Sequence, residues 1–165
     1  MLIRPATQDD VTTLAALNAH VHALHAEAEP WFFKPPVDAG YAAAREREFS
    51  SVLLDSSQSM FVAEAPKTDV LATTGVIGYL WAQRRDSSES AELFACKRLY
   101  INHISVHPNY FGQGVGEALM AAAKALAKQQ GANMALGVHT FNTRAQRFFA
   151  KQGFVPLIHT MWLEP

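Results

Sequence analysis

The stretch Val106-His-Pro-Asn-Tyr-Phe-Gly-Gln-Gly-Val-Gly-Glu-Ala-Leu-Met carries the clearest chemical signal in the chain. Gly112, Gly114 and Gly116 alternate ahead of a strongly helical run, just after Pro108 stops an extended segment. Alternate glycines let a backbone approach a ligand closely. The first turn of the following helix adds N–H groups without intrahelical acceptors and a partial positive charge. Together these suit phosphate or pyrophosphate. A Walker A loop requires Gly-Lys-Ser/Thr, whereas Gly116 is followed by Glu117-Ala118. A dinucleotide fingerprint requires a third glycine one place later and an acid about 20 residues on, and residues 130–142 contain no acid. Nucleoside triphosphates, nicotinamides and flavins are therefore disfavoured. A phosphate-bearing ligand gripped mainly by backbone remains.

The elements that would position this loop follow from periodicity. Leu2 to Thr7 reads as a first strand, and Thr7-Gln-Asp-Asp as a capping box. The helix it opens carries Val11, Leu14, Leu17, Val21 and Leu24 as one apolar stripe. An aromatic, proline-punctuated loop around Trp31-Phe-Phe leads to a second helix over about Ala39–Leu54. Strands are expected at Ser59–Glu64 and Gly75–Gln83, with a polar turn at Pro66–Asp69 between them, and at Lys97–Val106. A helix over Gly114–Gln130 is closed by Gly131, a strand covers Met134–His139, a helix covers Thr143–Gln152, and a last strand covers Val155–Trp162. The order predicts one α/β (α+β) domain over residues 1–165, a mixed central sheet of about six to seven strands flanked by about four helices.

Composition narrows the function classes. The 165 residues are 49% hydrophobic and 18% charged, enough for a core and inconsistent with disorder. The net charge of −1 argues against a nucleic-acid binder held by bulk charge. That charge is unevenly spread: after Arg98 the acids are Glu117 and Glu164, against Lys124, Lys128, Arg144, Arg147 and Lys151. Such a segment suits an anionic ligand. Cys96 is the one cysteine, so an intrachain disulfide and a CxxC site are excluded, and it reads as a small buried thiol. No signal peptide or spanning segment is visible, which predicts a cytoplasmic protein with no membrane partner. The seven histidines show no HExxH or paired Cys/His spacing, so no metal is expected.

Two stretches resemble a known family. Ile104-Ser-Val-His-Pro-Asn-Tyr-Phe-Gly-Gln-Gly-Val-Gly-Glu-Ala-Leu closely resembles the coenzyme A-binding motif of the GNAT superfamily of N-acetyltransferases. Asn142-Thr-Arg-Ala-Gln-Arg-Phe-Phe-Ala-Lys-Gln-Gly-Phe resembles that family's Asn-x-x-Ala-x-x-x-Tyr-x-x-x-Gly-Phe helix at every defined position but one. The resemblance implies a GNAT-like domain that moves acetyl from acetyl-CoA to a primary amine of a small molecule or peptide, directly, in a ternary complex. It implies that Phe111, Gly112, Gln113, Gly114, Val115, Gly116 and Glu117 face the pyrophosphate. Ile104, Ser105 and Val106 would pair with the pantetheine arm where two strands splay apart, and Asn142 would bind near the thioester. A homodimer is a further possibility.

The family's catalytic groups do not all carry over. Phe149 replaces the tyrosine that would protonate the leaving thiolate beside the cofactor, and Asn102 and Gly137 replace the usual carboxylate bases. His103 neighbours Asn102, and His139 lies two residues beyond Gly137 on the same face, so each is a candidate base. Asn102 itself completes the set of catalytic candidates, and Tyr100 and Tyr110 are the replacement acids to consider. On the acceptor side, His25, Trp31 and Phe32, with Phe33, could wall an amine pocket biased toward cations by Glu27, Glu29, Glu46 and Glu48. The alternative reading, from the same departures, is a non-catalytic acyl-CoA-binding or sensor module.

Overall fold

In the computed structural model, which describes residues 1–37, 39–66 and 75–163, the alternating apolar residues of the strands build one five-stranded sheet with helices on both faces. The elements run β1 (Leu2–Pro5), α1 (Val11–Ala28), α2 (Ala39–Val52), β2 (Gln58–Glu64), β3 (Val76–Arg84), β4 (Arg98–Val106), α3 (Val115–Gln130), β5 (Asn133–Leu136) and α4 (Thr143–Lys151). Strands β1 to β4 are antiparallel neighbours in chain order, and β5 lies parallel to β4. The turn expected at residues 67–69 lies outside the described residues.

The sheet's two faces carry separate cores. On one, α3 and Phe149 of α4 bury Leu119, Met120, Ala123 and Ala127 against Leu80, Leu99 and Ile101. On the other, α1 and α2 bury Leu14, Leu17 and Phe49 against Met60, Val62 and Tyr79. Full burial of one such side chain contributes about 1.5–3 kcal/mol. The α1 stripe runs out at Leu24, which is 53% exposed. The entry to α1 is fixed electrostatically: the Arg4 guanidinium meets both oxygens of the buried Asp10 carboxylate at 2.8 Å, and Asp10 also accepts from the Thr7 N–H at 2.7 Å. The Arg4 partner holds the Asp10 carboxyl below the usual carboxylate range.

One buried polar chain crosses the α1–sheet interface. Asn18 of α1 bonds the Tyr41 hydroxyl (2.8 Å), the Tyr79 hydroxyl (2.8 Å) and His103 Nδ1 (3.2 Å), and Ser105 Oγ donates to the Leu17 carbonyl at 2.8 Å. Burial, reinforced by Arg45, His25 and His22, pushes the His103 imidazole down to about 4.

Three expectations change. The sheet has five strands rather than six to seven, because among the described residues Val155–Trp162 pairs with no strand. Its alternating apolar residues face solvent, with Leu157 94% and Met161 92% exposed. An alternating pattern gives a strand only where another strand offers hydrogen-bonding groups. Strand β5 is shorter than expected, because Gly137, Val138 and His139 turn away from β4. Cys96 is half-buried beside an isolated bridge to Ser87, not in the core. No described helix is long and apolar enough to cross a membrane.

Two stability outcomes follow. A Cβ at Gly78 would stand 2.9 Å from the Ser105 carbonyl oxygen and 3.1 Å from Val115 Cγ1. Gly78→Ala should therefore destabilise the fold by about 1–3 kcal/mol in urea unfolding. The depressed His103 pKa has a defined sign. Above its unfolded value near 6.5 both states are neutral, and as pH falls toward 4 only the unfolded state gains the proton, so stability is lost. Between pH 7.5 and 5 this term costs about 2 kcal/mol, and unfolding of His103→Gln at the two pH values should show a loss smaller by that amount.

Candidate active site

The site begins where β5 parts from β4. Their parallel pairing covers only Arg98↔Asn133 through Ile101↔Leu136, yet β4 runs on to Val106. At the same point β4 is bulged. Trp81 opposes His103 while Ala82 opposes Ile101, which leaves Asn102 as the extra residue. The bulge resets the alternation: Leu99, Ile101, Ile104 and Val106 all face α3, and His103 and Ser105 face α1. Because the His107 N–H donates to the Ile77 carbonyl, alternation turns the peptide groups of Ile104 and Val106 away from β3, into the gap that β5 vacates. The peptide of Ser105 turns the other way, toward β3.

Beyond the gap the chain makes the 3-10 turn Pro108–Tyr110, with Tyr110 buried, and then the glycine loop. Gly112 (φ 75°) and Gly114 (φ 80°) both occupy the left-handed region, where side chains are strained. Gly114 caps α3, so the N–H groups of Val115, Gly116 and Glu117 form its open first turn. Val115 anchors that turn in the core. Gly116 is needed for close packing, since a Cβ there would lie 3.3 Å from the Phe148 ring of α4. Gln113 bonds the Asn109 carbonyl at 2.9 Å. Phe111 is partly exposed, and the Arg144 guanidinium of α4 sits 3.7 Å over its ring. A cation thus reaches the loop from the second motif by stacking on an aromatic face.

Helix α4 starts at Asn142, whose Oδ1 accepts from the Ala145 N–H at 3.0 Å as its cap. The Asn142 amide nitrogen is left for other work. Phe149 is buried in the α3-side core, edge-on to Phe148 and Phe154. Gln146 pins the preceding turn by donating to the His139 and Thr140 carbonyls.

His139 begins that turn, against the α1–α2 connection. Its Nδ1 lies 2.7 Å from Glu29 Oε2, and the rings of His25, Phe33 and Phe141 stand 5.1–5.8 Å from its own. Phe32 is 6.2 Å away, and Trp31 and Phe32 both pack on Trp162 of the C-terminal segment. Burial lowers the His25 pKa, with His139 and His22 adding to the effect. On the other flank of the bulge, Arg85 stacks 4.0 Å over Tyr100 and donates to Asn102 Oδ1 at 2.8 Å, leaving the buried Asn102 Nδ2 without a hydrogen-bond partner. The Tyr100 hydroxyl fills the space of a side chain at Gly137, where a Cβ would lie only 3.1 Å from it. Among the described residues, no three His, Cys, Asp or Glu side chains are grouped as metal ligands.

The structure thus brings His25, Phe32 and His139 together, gathers the glycine loop with Arg144, and sets His103 on the α1 side of β4. Sequence reasoning passed over Asn18, which stands one place after Leu17 on a stripe of core positions. A lone amide there signals a buried hydrogen-bond network. It also passed over Phe141, and it read Glu29 only as bulk charge.

Comparison with known proteins identifies the family. Residues 21–154 match the model of the acetyltransferase (GNAT) family. Uncharacterized N-acetyltransferases of Mycobacterium bovis and Mycobacterium tuberculosis are 34% identical over 119 residues, 72% of this chain and 64% of theirs. The match therefore spans just under two thirds of those relatives. A tetramutant of the BH1408 protein from Bacillus halodurans superposes with a TM-score of 0.87 at 22% identity, with full coverage of both chains. AAC(6')-Iy in complex with the bisubstrate analog CoA-S-monomethyl-acetylneamine superposes with a TM-score of 0.70 at 17% identity, covering 99% of this chain and 97% of that one. The chain belongs to the GNAT family of acetyltransferases.

Proposed function

We propose that the protein transfers an acetyl group from acetyl-CoA to a primary amine of a small molecule or peptide, directly, with both substrates bound at once. The observation that carries this reading is the gap between β4 and β5 opening onto the glycine loop on one side and the Glu29–His139 pair on the other. The gap offers the free peptide groups of Ile104 and Val106 to an amide-bearing arm. The loop from Phe111 to Glu117 offers backbone N–H groups and two left-handed glycines to a pyrophosphate, with the Arg144 charge stacked beside it. Asn142 keeps its amide nitrogen free to donate while its oxygen caps α4. Phe149 acts from the core by holding α4 against the loop. That AAC(6')-Iy is seen with CoA and with an acetylneamine analog supports a small-molecule amine as acceptor.

His139 is the base in this reading. The Glu29 carboxylate accepts its Nδ1–H, which fixes the tautomer and leaves Nε2 with a lone pair for an ammonium proton. The surrounding rings of His25, Phe32 and Phe33 favour an amine carried on an apolar body, and Glu29 favours its cationic form. Once His139 has taken the first proton, the neutral amine nitrogen bonds the acetyl carbon, the carbon–sulfur bond breaks, and the departing thiolate takes up the second amine proton to leave as the free thiol. A thiolate is a stable enough leaving group to go without the absent tyrosine, and holding both reactants in place lowers the barrier.

The loop assignment is checked by calorimetric titration with CoA. Gly114→Asp should weaken binding at least tenfold more than Gly114→Asn, which matches it in size and tolerates the same backbone but lacks the charge. Equal affinities would remove the loop from the phosphate site. The base assignment is checked by steady-state kinetics on an accepted amine: His139→Ala should lower kcat about 100-fold and Glu29→Gln about tenfold, with CoA affinity unchanged. Wild-type kcat in His139→Ala would exclude it.

A further inference from the structure

Asn18 settles the protonation of His103. Its carboxamide is 4% exposed and has three neighbours of known chemistry. The Tyr41 hydroxyl lies 2.8 Å from Oδ1, while Nδ2 lies 2.8 Å from the Tyr79 hydroxyl oxygen and 3.2 Å from His103 Nδ1. An amide oxygen can only accept, so the Tyr41 hydroxyl directs its proton at Asn18 Oδ1. With Oδ1 accepting there, Nδ2 has its protons to share between the Tyr79 hydroxyl and His103 Nδ1, and the Tyr79 hydroxyl, 3.4 Å from the same Nδ1, has its own proton to give there. A ring nitrogen that receives an N–H carries a lone pair, and the proton of the neutral ring is then on Nε2.

We propose that His103 serves as a neutral hydrogen-bond donor through Nε2–H to the carbonyl oxygen of the acyl group, held in that tautomer by Asn18. The role as donor rests on the acetyl-transfer reading; the tautomer does not. No hydrogen bond to Nε2 is made by the described residues, so the proton is available to a ligand. His103 is also the first residue past the bulge, on the stretch of β4 that β5 has left, and its side chain faces α1, the helix that carries His22 and His25. Its low pKa keeps the ring uncharged across the physiological range, so the one ring proton sits on Nε2. As the amine attacks, negative charge grows on the carbonyl oxygen, and a preplaced donor stabilises that charge. The two imidazoles then divide the work. Glu29 accepts from Nδ1 of His139 and leaves its Nε2 as base, whereas Asn18 donates to Nδ1 of His103 and leaves its Nε2 as donor. A histidine held neutral by its surroundings to polarise a carbonyl is an established device.

The test reads the tautomer first. Long-range proton–nitrogen correlation spectra of the 15N-labelled protein at pH 7, with the His103 signals identified by their loss in His103→Gln, should show a protonated Nε2 and an unprotonated Nδ1. The reverse pattern would mean the Asn18 amide is turned over, and it would overturn the proposal. In Asn18→Ala the fixed pattern should give way to a mixture of tautomers; an unchanged pattern would remove Asn18 as the positioning residue. Kinetics then read the role. His103→Leu should lower kcat about 100-fold, while His103→Gln, whose amide places an N–H where Nε2–H stood, should stay within about tenfold of wild type. Equal rates in the two variants would overturn the donor role. Wild-type protein that binds CoA but turns over no amine would overturn the acetyl-transfer reading, and the donor role with it, while leaving the tautomer result standing.

Discussion

The parting of β4 from β5 after Ile101 and Leu136 is the constraint on which the other features depend. A sheet that closed here would satisfy the peptide groups of Ile104 and Val106 internally and leave nothing for an extended ligand to pair with. Three features hold the gap open. The extra residue Asn102 shifts the register of the pairing on the β3 side, and Tyr100 presses its hydroxyl against Gly137 where β5 turns off. Gln146 then ties the departing turn to α4 through the His139 and Thr140 carbonyls. The same turn delivers His139 to Glu29, so what opens the gap also assembles the Glu29–His139 pair.

The two sides of the sheet divide the electrostatics. Past Arg98 the chain is poor in acids, and its contribution near the gap is backbone N–H groups and the stacked Arg144, which suit an anion. The α1–α2 side contributes Glu29, aromatic rings and histidines, which suit a cationic amine. Between them His103 is kept neutral by burial, with Arg45, His25 and His22 adding to the effect. A net charge of −1 conceals this arrangement entirely.

What the sequence revealed follows from how each part is encoded. The glycine loop and the two helix caps are contiguous stretches: Gly131 closes α3 as expected, Gly112 and Gly114 take left-handed backbone in the loop, and Asn142 caps α4. The helices and the first four strands follow from periodicity within a residue or two. The bulge is visible in hindsight as a change of parity between Leu99, Ile101 and Ile104, Val106. Of the cluster around His139 the sequence named His25, Phe32, Glu29 and His139 singly, but not their meeting, nor Phe141, nor the Asn18 network, because these residues come from separate elements and are joined only by the tertiary fold. The Val155–Trp162 strand failed for the complementary reason. Its pattern is right for a strand, but pairing is a property of two segments, and among the described residues none pairs with it.

The most direct test of the account is a crystal structure of the protein with CoA. The pyrophosphate should lie within hydrogen-bond distance of the N–H groups between Gly112 and Glu117, with the pantetheine arm extended along Ile104 and Val106 in the gap and its sulfur directed toward His103 and His139. A CoA bound elsewhere, or a β4–β5 ladder that closes past Ile101 when CoA binds, would contradict it.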